Sequence, residues 1–162
     1  MSRTGLIVNA LWLQLGWWGC VLGAQDPWWL LLVVIGLLAH LWLCPARRAE
    51  LFAVMRVGLS GMLLDWSLGT QGLFIFQQTP LPLWLALLWL VFATGLRHSL
   101  AWAKRPVSRG VWLGLIGGPL AYCVGAPLAG VALPLGVVGT ALILAPIWAI
   151  WLPLALRLAE PN

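Results

Sequence analysis

Residues 57–76 read VGLSGMLLDWSLGTQGLFIF, a stretch of twenty residues that carries one charged side chain. About 20 apolar residues give a helix long enough to cross the hydrocarbon core of a bilayer. Asp65 lies near the middle of the stretch, where insertion scales assign an aspartate a cost of about 2.5–3.5 kcal/mol. The stretch therefore predicts a transmembrane helix whose carboxylate faces other helices rather than lipid.

The composition of the whole chain also indicates a membrane protein. Of its 162 residues 62% are hydrophobic and 8% are charged, whereas a soluble domain is about 45–50% apolar and about 25% charged. The net charge of +5 raises the possibility of nucleic-acid binding, but the basic residues lie in short gaps between apolar runs. We therefore predict no nucleic-acid partner. The three cysteines have no pair spacing and are interpreted as packing residues.

Six apolar runs divide the chain, and we predict that each forms a transmembrane helix. The first is long enough to be a retained helix rather than a signal peptide. The predicted fold is an all-α integral membrane protein, a six-helix bundle forming a single transmembrane domain over residues 1–162. The runs are Gly5–Ala24, Trp28–Cys44, Val57–Phe76, Pro82–Leu96, Gly110–Leu128 and Leu133–Leu156.

The distribution of charge predicts the orientation of this bundle. If the six helices alternate in direction, every Lys and Arg falls on one side, and the three connections on the other side contain none. Short basic loops stay in the cytoplasm. Both termini are therefore predicted to be cytoplasmic.

Three positions suggest that the bundle is built from three consecutive helical hairpins. Arg3, Arg56 and Arg109 are each 53 residues apart, since 56 − 3 = 53 and 109 − 56 = 53. A proline follows each after 24 or 25 residues, near the far turn of each hairpin: Pro27, Pro80 and Pro134. The alternative explanation is that a constant bilayer thickness gives equal hairpins without an internal repeat.

Glycine stripes at helical spacing run along the first, third and fifth helices. Small residues allow helices to approach closely, so we expect these three helices to form an inner layer. Four polar residues are then expected to converge within it as an intramembrane cluster: Asn9, Gln14, Asp65 and Tyr122. For Asp65 two roles remain open, namely a proton relay or substrate anchor, and a structural residue that fixes helix register.

Basic residues at the cytoplasmic ends are candidates for contacts with lipid phosphate or head groups. They are Arg56, Arg97, His98 and Arg109. Their alternative role is simple solvation at the interface, and Arg56 has a further alternative in pairing with Glu50. No metal-ligand spacing and no catalytic motif occurs, so no metal, no cofactor and no catalytic residue is predicted. The deep tryptophans Trp12, Trp66 and Trp89 are predicted either to line an aromatic pocket or to pack the core.

Several motifs in order resemble the bacterial inner-membrane family of unknown function 2878 (DUF2878). They are Gly61-Met62-Leu63-Leu64-Asp65 with Gly69 and Gly72, Pro82–Trp89 leading to Phe92-Ala93-Thr94, His98-Ser99-Leu100, and Gly117–Tyr122 with Gly125. The resemblance implies a multi-pass inner-membrane protein without an established activity. It also implies a role near membrane lipids, because members are often encoded beside lipid-modifying enzymes such as cyclopropane fatty-acid synthase.

Two functions follow as hypotheses. The first is a small carrier or lipid-handling protein whose partners are membrane lipids. The second is a non-catalytic anchor or scaffold for a lipid-modifying enzyme. A membrane-embedded enzyme is the weakest alternative, because one aspartate without a second acid, base or nucleophile is a poor catalytic set. Homo-oligomerisation is left open.

Overall fold

The computed structural model describes residues 2–77 and 81–160. This part of the chain contains six α-helices, one short 3-10 helix at Ala101–Lys104 and no β-strand. The predicted all-α class is confirmed. Pro80, one of the three prolines used in the repeat argument, lies outside the described residues. The helices are α1 (Arg3–Gly23), α2 (Trp28–Leu43), α3 (Arg47–Thr70), α4 (Leu83–Leu96), α5 (Val107–Leu128) and α6 (Gly136–Leu158).

Four of the helices have the length and composition to cross a membrane. These are α1, α3, α5 and α6, with 21, 24, 22 and 23 residues, whereas α2 and α4 have 16 and 14. Large apolar side chains cover much of the outer surface; Trp28, Val138 and Leu142 are 76%, 72% and 71% exposed. Water solvates such a surface poorly, whereas lipid chains solvate it well.

Helix α3 differs most from its predicted bounds. It begins at Arg47, ten residues before the predicted Val57, because Arg, Ala, Glu and Leu favour a helix regardless of hydropathy. It ends before the predicted Phe76, because Gly72 adopts a φ of +79°. The N–H of Leu73 then donates to the carbonyl of Leu68 at 3.0 Å, which closes a Schellman motif.

The short helix α4 lies in the interior of the bundle. It packs against α1, α2 and α3, while α5 packs mainly against α6. The prediction that α1, α3 and α5 form the inner layer is therefore wrong. The glycines do mark close approaches, but the closest of these are to even-numbered helices. A Cβ added to Gly16 would lie 2.5 Å from Val91, and one added to Gly118 would lie 2.2 Å from Trp148.

Polar contacts tie together one end of the bundle, which we call the basic end. Here the start of α1, the α2–α3 turn, the α4–α5 connection and the end of α6 meet. Asn9 contacts Ser99, Arg97 contacts Glu50, and Lys104 contacts Glu160. At the opposite end, Ile75 and Ala132 exchange backbone hydrogen bonds of 3.0 and 3.2 Å. The basic connections thus share one end of the structure, as the charge pattern predicts.

Candidate functional site

Asp65 is fully buried on α3 and is held by two neutral donors. The indole N–H of Trp89 donates to its Oδ2 at 2.7 Å, and the hydroxyl of Tyr122 donates to its Oδ1 at 2.6 Å. The carboxylate is 0% exposed. It therefore connects three helices, because Trp89 lies on α4 and Tyr122 on α5.

Gly61 makes room for this arrangement. It lies one turn before Asp65, and a Cβ added to it would lie 2.2 Å from Cε3 of Trp89. The indole can therefore lie flat against the α3 backbone and reach the carboxylate. On its other side Trp89 stacks on Trp148 with ring centroids 5.5 Å apart and planes 8° apart. Tyr122 stacks in turn on Phe74 at 5.2 Å.

The structure brings together two of the four residues of the predicted polar cluster, Asp65 and Tyr122. Asn9 is buried but bonds elsewhere: its Oδ1 accepts from the hydroxyl of Ser99 at 2.6 Å, and its Nδ2 donates to the carbonyl of Thr94 at 3.3 Å. Gln14 is exposed on the outer surface of α1. The prediction that all four residues converge is therefore wrong, because α4 occupies the space between α1 and α3.

A second buried carboxylate, Glu50, lies at the basic end. Its Oε1 is 3.0 Å from Nε2 of His40 and 3.1 Å from Nε2 of His98, and its Oε2 accepts from the guanidinium of Arg97 at 3.0 Å. The Glu50 side chain is 1% exposed, whereas its three partners are 14–18% exposed. We call these four residues the Glu50 cluster.

Sequence reasoning misses this cluster because residues 45–56 fall outside the six apolar runs. Helical spacing offered a signal that could have found it. The buried face of α3 includes Glu50, Val54, Val57, Gly61 and Asp65, so the glycine stripe extends backward by two turns to the second carboxylate.

The predicted phosphate contacts do not form one group. Arg97 and His98 meet at Glu50 and are engaged by its carboxylate. The guanidinium of Arg56 donates to the backbone carbonyl of Glu160 at 2.8 Å, just beyond the end of α6. Arg109 is exposed and donates to the carbonyl of Arg105 at 3.0 Å. Contact of these residues with lipid phosphate or head groups stays a prediction.

An apolar cavity of about 190 Å³ lies beside the Asp65 site, between α1, α4, α5 and α6. A smaller cavity of about 50 Å³ continues from it toward the opposite end and shares Trp17, Leu88, Ala121 and Tyr122 as lining residues. A Cβ added to Gly117, which also lines the larger cavity, would have 3.7 Å of clearance from Leu113. Gly117 therefore leaves open space on this side of α5, whereas a Cβ added to Gly125 would contact Trp17 of α1 at 3.4 Å.

The three tryptophans predicted to be deep have different positions. Trp89 is 1% exposed and lines the cavity, as do Trp17 and Trp148. Trp12 donates its N–H to the hydroxyl of Thr94 at 3.1 Å, whereas Trp66 is 50% exposed on the outer surface. Trp89 therefore fills both predicted roles, since it packs the core and forms a wall of the cavity.

Comparison with known proteins identifies the family of the chain. The model of the family described as "Protein of unknown function (DUF2878)" matches residues 6–154, nearly the whole chain. No curated protein and no solved structure matches. The resemblance inferred from the motifs around Asp65, Trp89 and Tyr122 is confirmed.

Proposed function

Because the chain belongs to the DUF2878 family, whose function is unknown, its activity has to be inferred from its own geometry, and we propose that it is a lipid-handling protein of the bacterial inner membrane. We infer that both termini are cytoplasmic, with the basic end on that side. The ligand would be an apolar chain of a membrane lipid, bound in the cavity between α1 and α5.

The observation that carries this proposal is the cavity beside Asp65. An engineered apolar protein cavity of about 150 Å³ stays dry and binds benzene, and the cavity here has about 190 Å³. Its walls are mainly aromatic and aliphatic, which favours an alkyl chain or ring over a polar ligand. The contact between α1 and α5 is sparse, which leaves this side of the bundle as a route for a chain from the surrounding lipid.

Asp65 has a defined part in this proposal. Its two oxygens occupy the polar hydrogens of Trp89 and Tyr122, and both of these residues line the cavity. The carboxylate thus holds both side chains in place as walls of the cavity. Because their donors are already bonded to Asp65, these donors are not available to a ligand. Asp65 acts on the ligand through these two side chains and is a positioning residue.

The same cavity favours lipid handling over the scaffold alternative. A protein that serves only as an anchor for a lipid-modifying enzyme needs no internal space, and its core is expected to close by side-chain packing. The basic connections remain the surface to which such an enzyme would bind. Lipid analysis of cells with and without the protein tests the cellular role, with a change in acyl-chain composition as the expected result.

A matched pair of substitutions tests the cavity itself. Ala121→Leu adds a side chain to a residue that lines both cavities, whereas Ala10→Leu adds the same side chain on the exposed surface of α1. Native mass spectrometry of protein released from detergent is expected to show a retained phospholipid on the wild type and on Ala10→Leu, and none on Ala121→Leu. Equal retention by all three folded proteins would remove the cavity as the binding site.

A further inference from the structure

We infer that His40, Glu50 and His98 form a binding site for a divalent transition-metal ion of the zinc class. The three residues come from α2, α3 and the turn after α4. Their donor atoms lie within 4.8 Å of one another, and the rings of His40 and His98 are 5.4 Å apart. This site goes beyond the proposed function and does not depend on it.

The donor set matches the chemistry of such an ion. Two imidazoles and one carboxylate are the protein ligands of several catalytic zinc sites, where a water completes the coordination. At metal–ligand distances of about 2.0–2.2 Å, tetrahedral donors lie about 3.3 Å apart. The separations of 3.0 and 3.1 Å from Glu50 to the two histidines already fit. The donors of the two histidines lie within 4.8 Å of each other, so metal binding requires the two imidazoles to move closer together.

One donor in this group has no hydrogen-bond partner among the residues that the structure describes. Nε2 of His98 is buried, and its contact with Oε1 of Glu50 lacks the geometry of a hydrogen bond. A buried ring nitrogen that makes no hydrogen bond is costly. A metal ion between the imidazole and the carboxylate would bind the lone pair of Nε2 of His98. Without the ion, no hydrogen bond from a described residue uses this lone pair.

Arg97 supports the proposed metal site and does not block the metal-binding oxygen of Glu50. Its guanidinium bonds Oε2 of Glu50 and leaves Oε1 for the ion. Ligating carboxylates are commonly held by such an outer hydrogen bond, which fixes their orientation. The two histidines are partly exposed at the basic end, so the group lies close to the surface of that end.

Metal content tests the inference directly. The protein is produced with a tag that contains no histidine, stripped with a chelator in detergent, and equilibrated with Zn²⁺ or Co²⁺. Elemental analysis is expected to give one ion per chain, and the Co²⁺ form is expected to show the visible absorption of a low-symmetry site with nitrogen and oxygen ligands. Absence of stoichiometric binding by the folded wild type would overturn the site.

Substitutions then assign the ligands. His40→Gln and His98→Gln are each expected to abolish stoichiometric binding while the helical circular dichroism stays unchanged. Cys44→Ser is the control, because this thiol lies one turn from His40 but outside the group, and it is expected to bind as the wild type does. Unchanged binding by both histidine variants would overturn the assignment. If neither variant folds, the wild-type Co²⁺ spectrum decides, since thiolate charge-transfer bands would contradict these ligands.

Discussion

Helix α3 buries two carboxylates, Glu50 and Asp65, and satisfies them in opposite ways. Both are 0% exposed, and their separation of fifteen positions corresponds to about 22 Å along the helix. Glu50, at the basic end, has a guanidinium and two imidazoles as partners. Asp65, in the middle of the apolar segment, has an indole and a phenol. The buried acid near the surface, Glu50, thus has a cationic partner, whereas the buried acid in the interior, Asp65, has only neutral donors.

The difference has a physical basis in where a cation is tolerated. An Arg or Lys at the centre of a bilayer costs several kcal/mol, so in the proposed membrane setting a charged partner for Asp65 would add a second expensive group. Two neutral donors avoid that addition, and their rings supply packing area as well. At the basic end the partners of Glu50 remain partly exposed, so their own desolvation is incomplete.

The largest effect is expected when Glu50 loses its cation. Arg97→Gln should lower the free energy of unfolding of the metal-free protein by about 3 kcal/mol, the lower end of the range for an unpaired buried charge, because two imidazoles remain. Unfolding in mixed micelles measures it. The double variant Glu50→Gln/Arg97→Gln should recover most of the loss. A double variant as unstable as the single one would show that the charge pair does not explain the cost.

A smaller effect is expected when the neutral donor Trp89 is displaced. Gly61→Ala would place a Cβ 2.2 Å from the indole that donates to Asp65, so stability should fall by about 1–3 kcal/mol, as for overpacked cores. Gly58→Ala is the matched control on the same helix. Its new Cβ would meet the flexible end of Leu90 at 2.7 Å and should cost less. Equal costs would mean that the Trp89–Asp65 contact has no special weight.

Loss of the second neutral donor should cost less again. Tyr122→Phe removes the hydroxyl that bonds Asp65 at 2.6 Å and keeps the ring that stacks on Phe74. Hydrogen bonds between transmembrane helices contribute about 0.6–1.7 kcal/mol, and we expect a loss within that range. A double-mutant cycle with Asp65→Asn isolates the pair. A coupling energy near zero would show that the two groups do not stabilise each other.

The smallest effect is expected for an exposed ion pair, which serves as a reference for the contacts of the two buried carboxylates. Lys104 and Glu160 form a salt bridge with 33% and 46% of their side chains exposed. Water and salt screen such a pair, so Lys104→Ala should change the free energy of unfolding by about 0–1 kcal/mol. A change as large as that of Arg97→Gln would mean that burial does not explain the difference in stability between the two ion pairs.

Hydropathy predicted the six helices well because each helix contains a continuous apolar run, although only four of the helices have the length of a membrane span. It missed the first ten residues of α3, since Arg47–Arg56 contains four charged residues and therefore falls outside the apolar run, although it consists largely of good helix formers. Because of this error, Glu50 is not placed on a buried helix face, and its contacts with His40 and His98 are not predicted. Asp65 was found because a lone acid in an apolar run is conspicuous.

Helix neighbours were harder to predict than helices. A glycine stripe shows that a helix allows close approach, but it does not identify the helix that approaches. The complementary signal was the set of large residues on α4: Trp89, Leu90 and Val91 fill the spaces left by Gly61, Gly58 and Gly16, respectively. Cavity formation could not be predicted, because it depends on the sparse contact between α1 and α5.

The difference between the two carboxylates depends on α3 crossing a bilayer with Glu50 at the cytoplasmic end. Single cysteines at the exposed positions Arg48 and Gln71, in a chain whose three natural cysteines are replaced by alanine, test this in spheroplasts with a membrane-impermeant maleimide. Gln71→Cys should react in intact spheroplasts, and Arg48→Cys only after the membrane is opened. Reaction of Arg48→Cys in intact spheroplasts, or equal reaction of both, would contradict the proposed crossing.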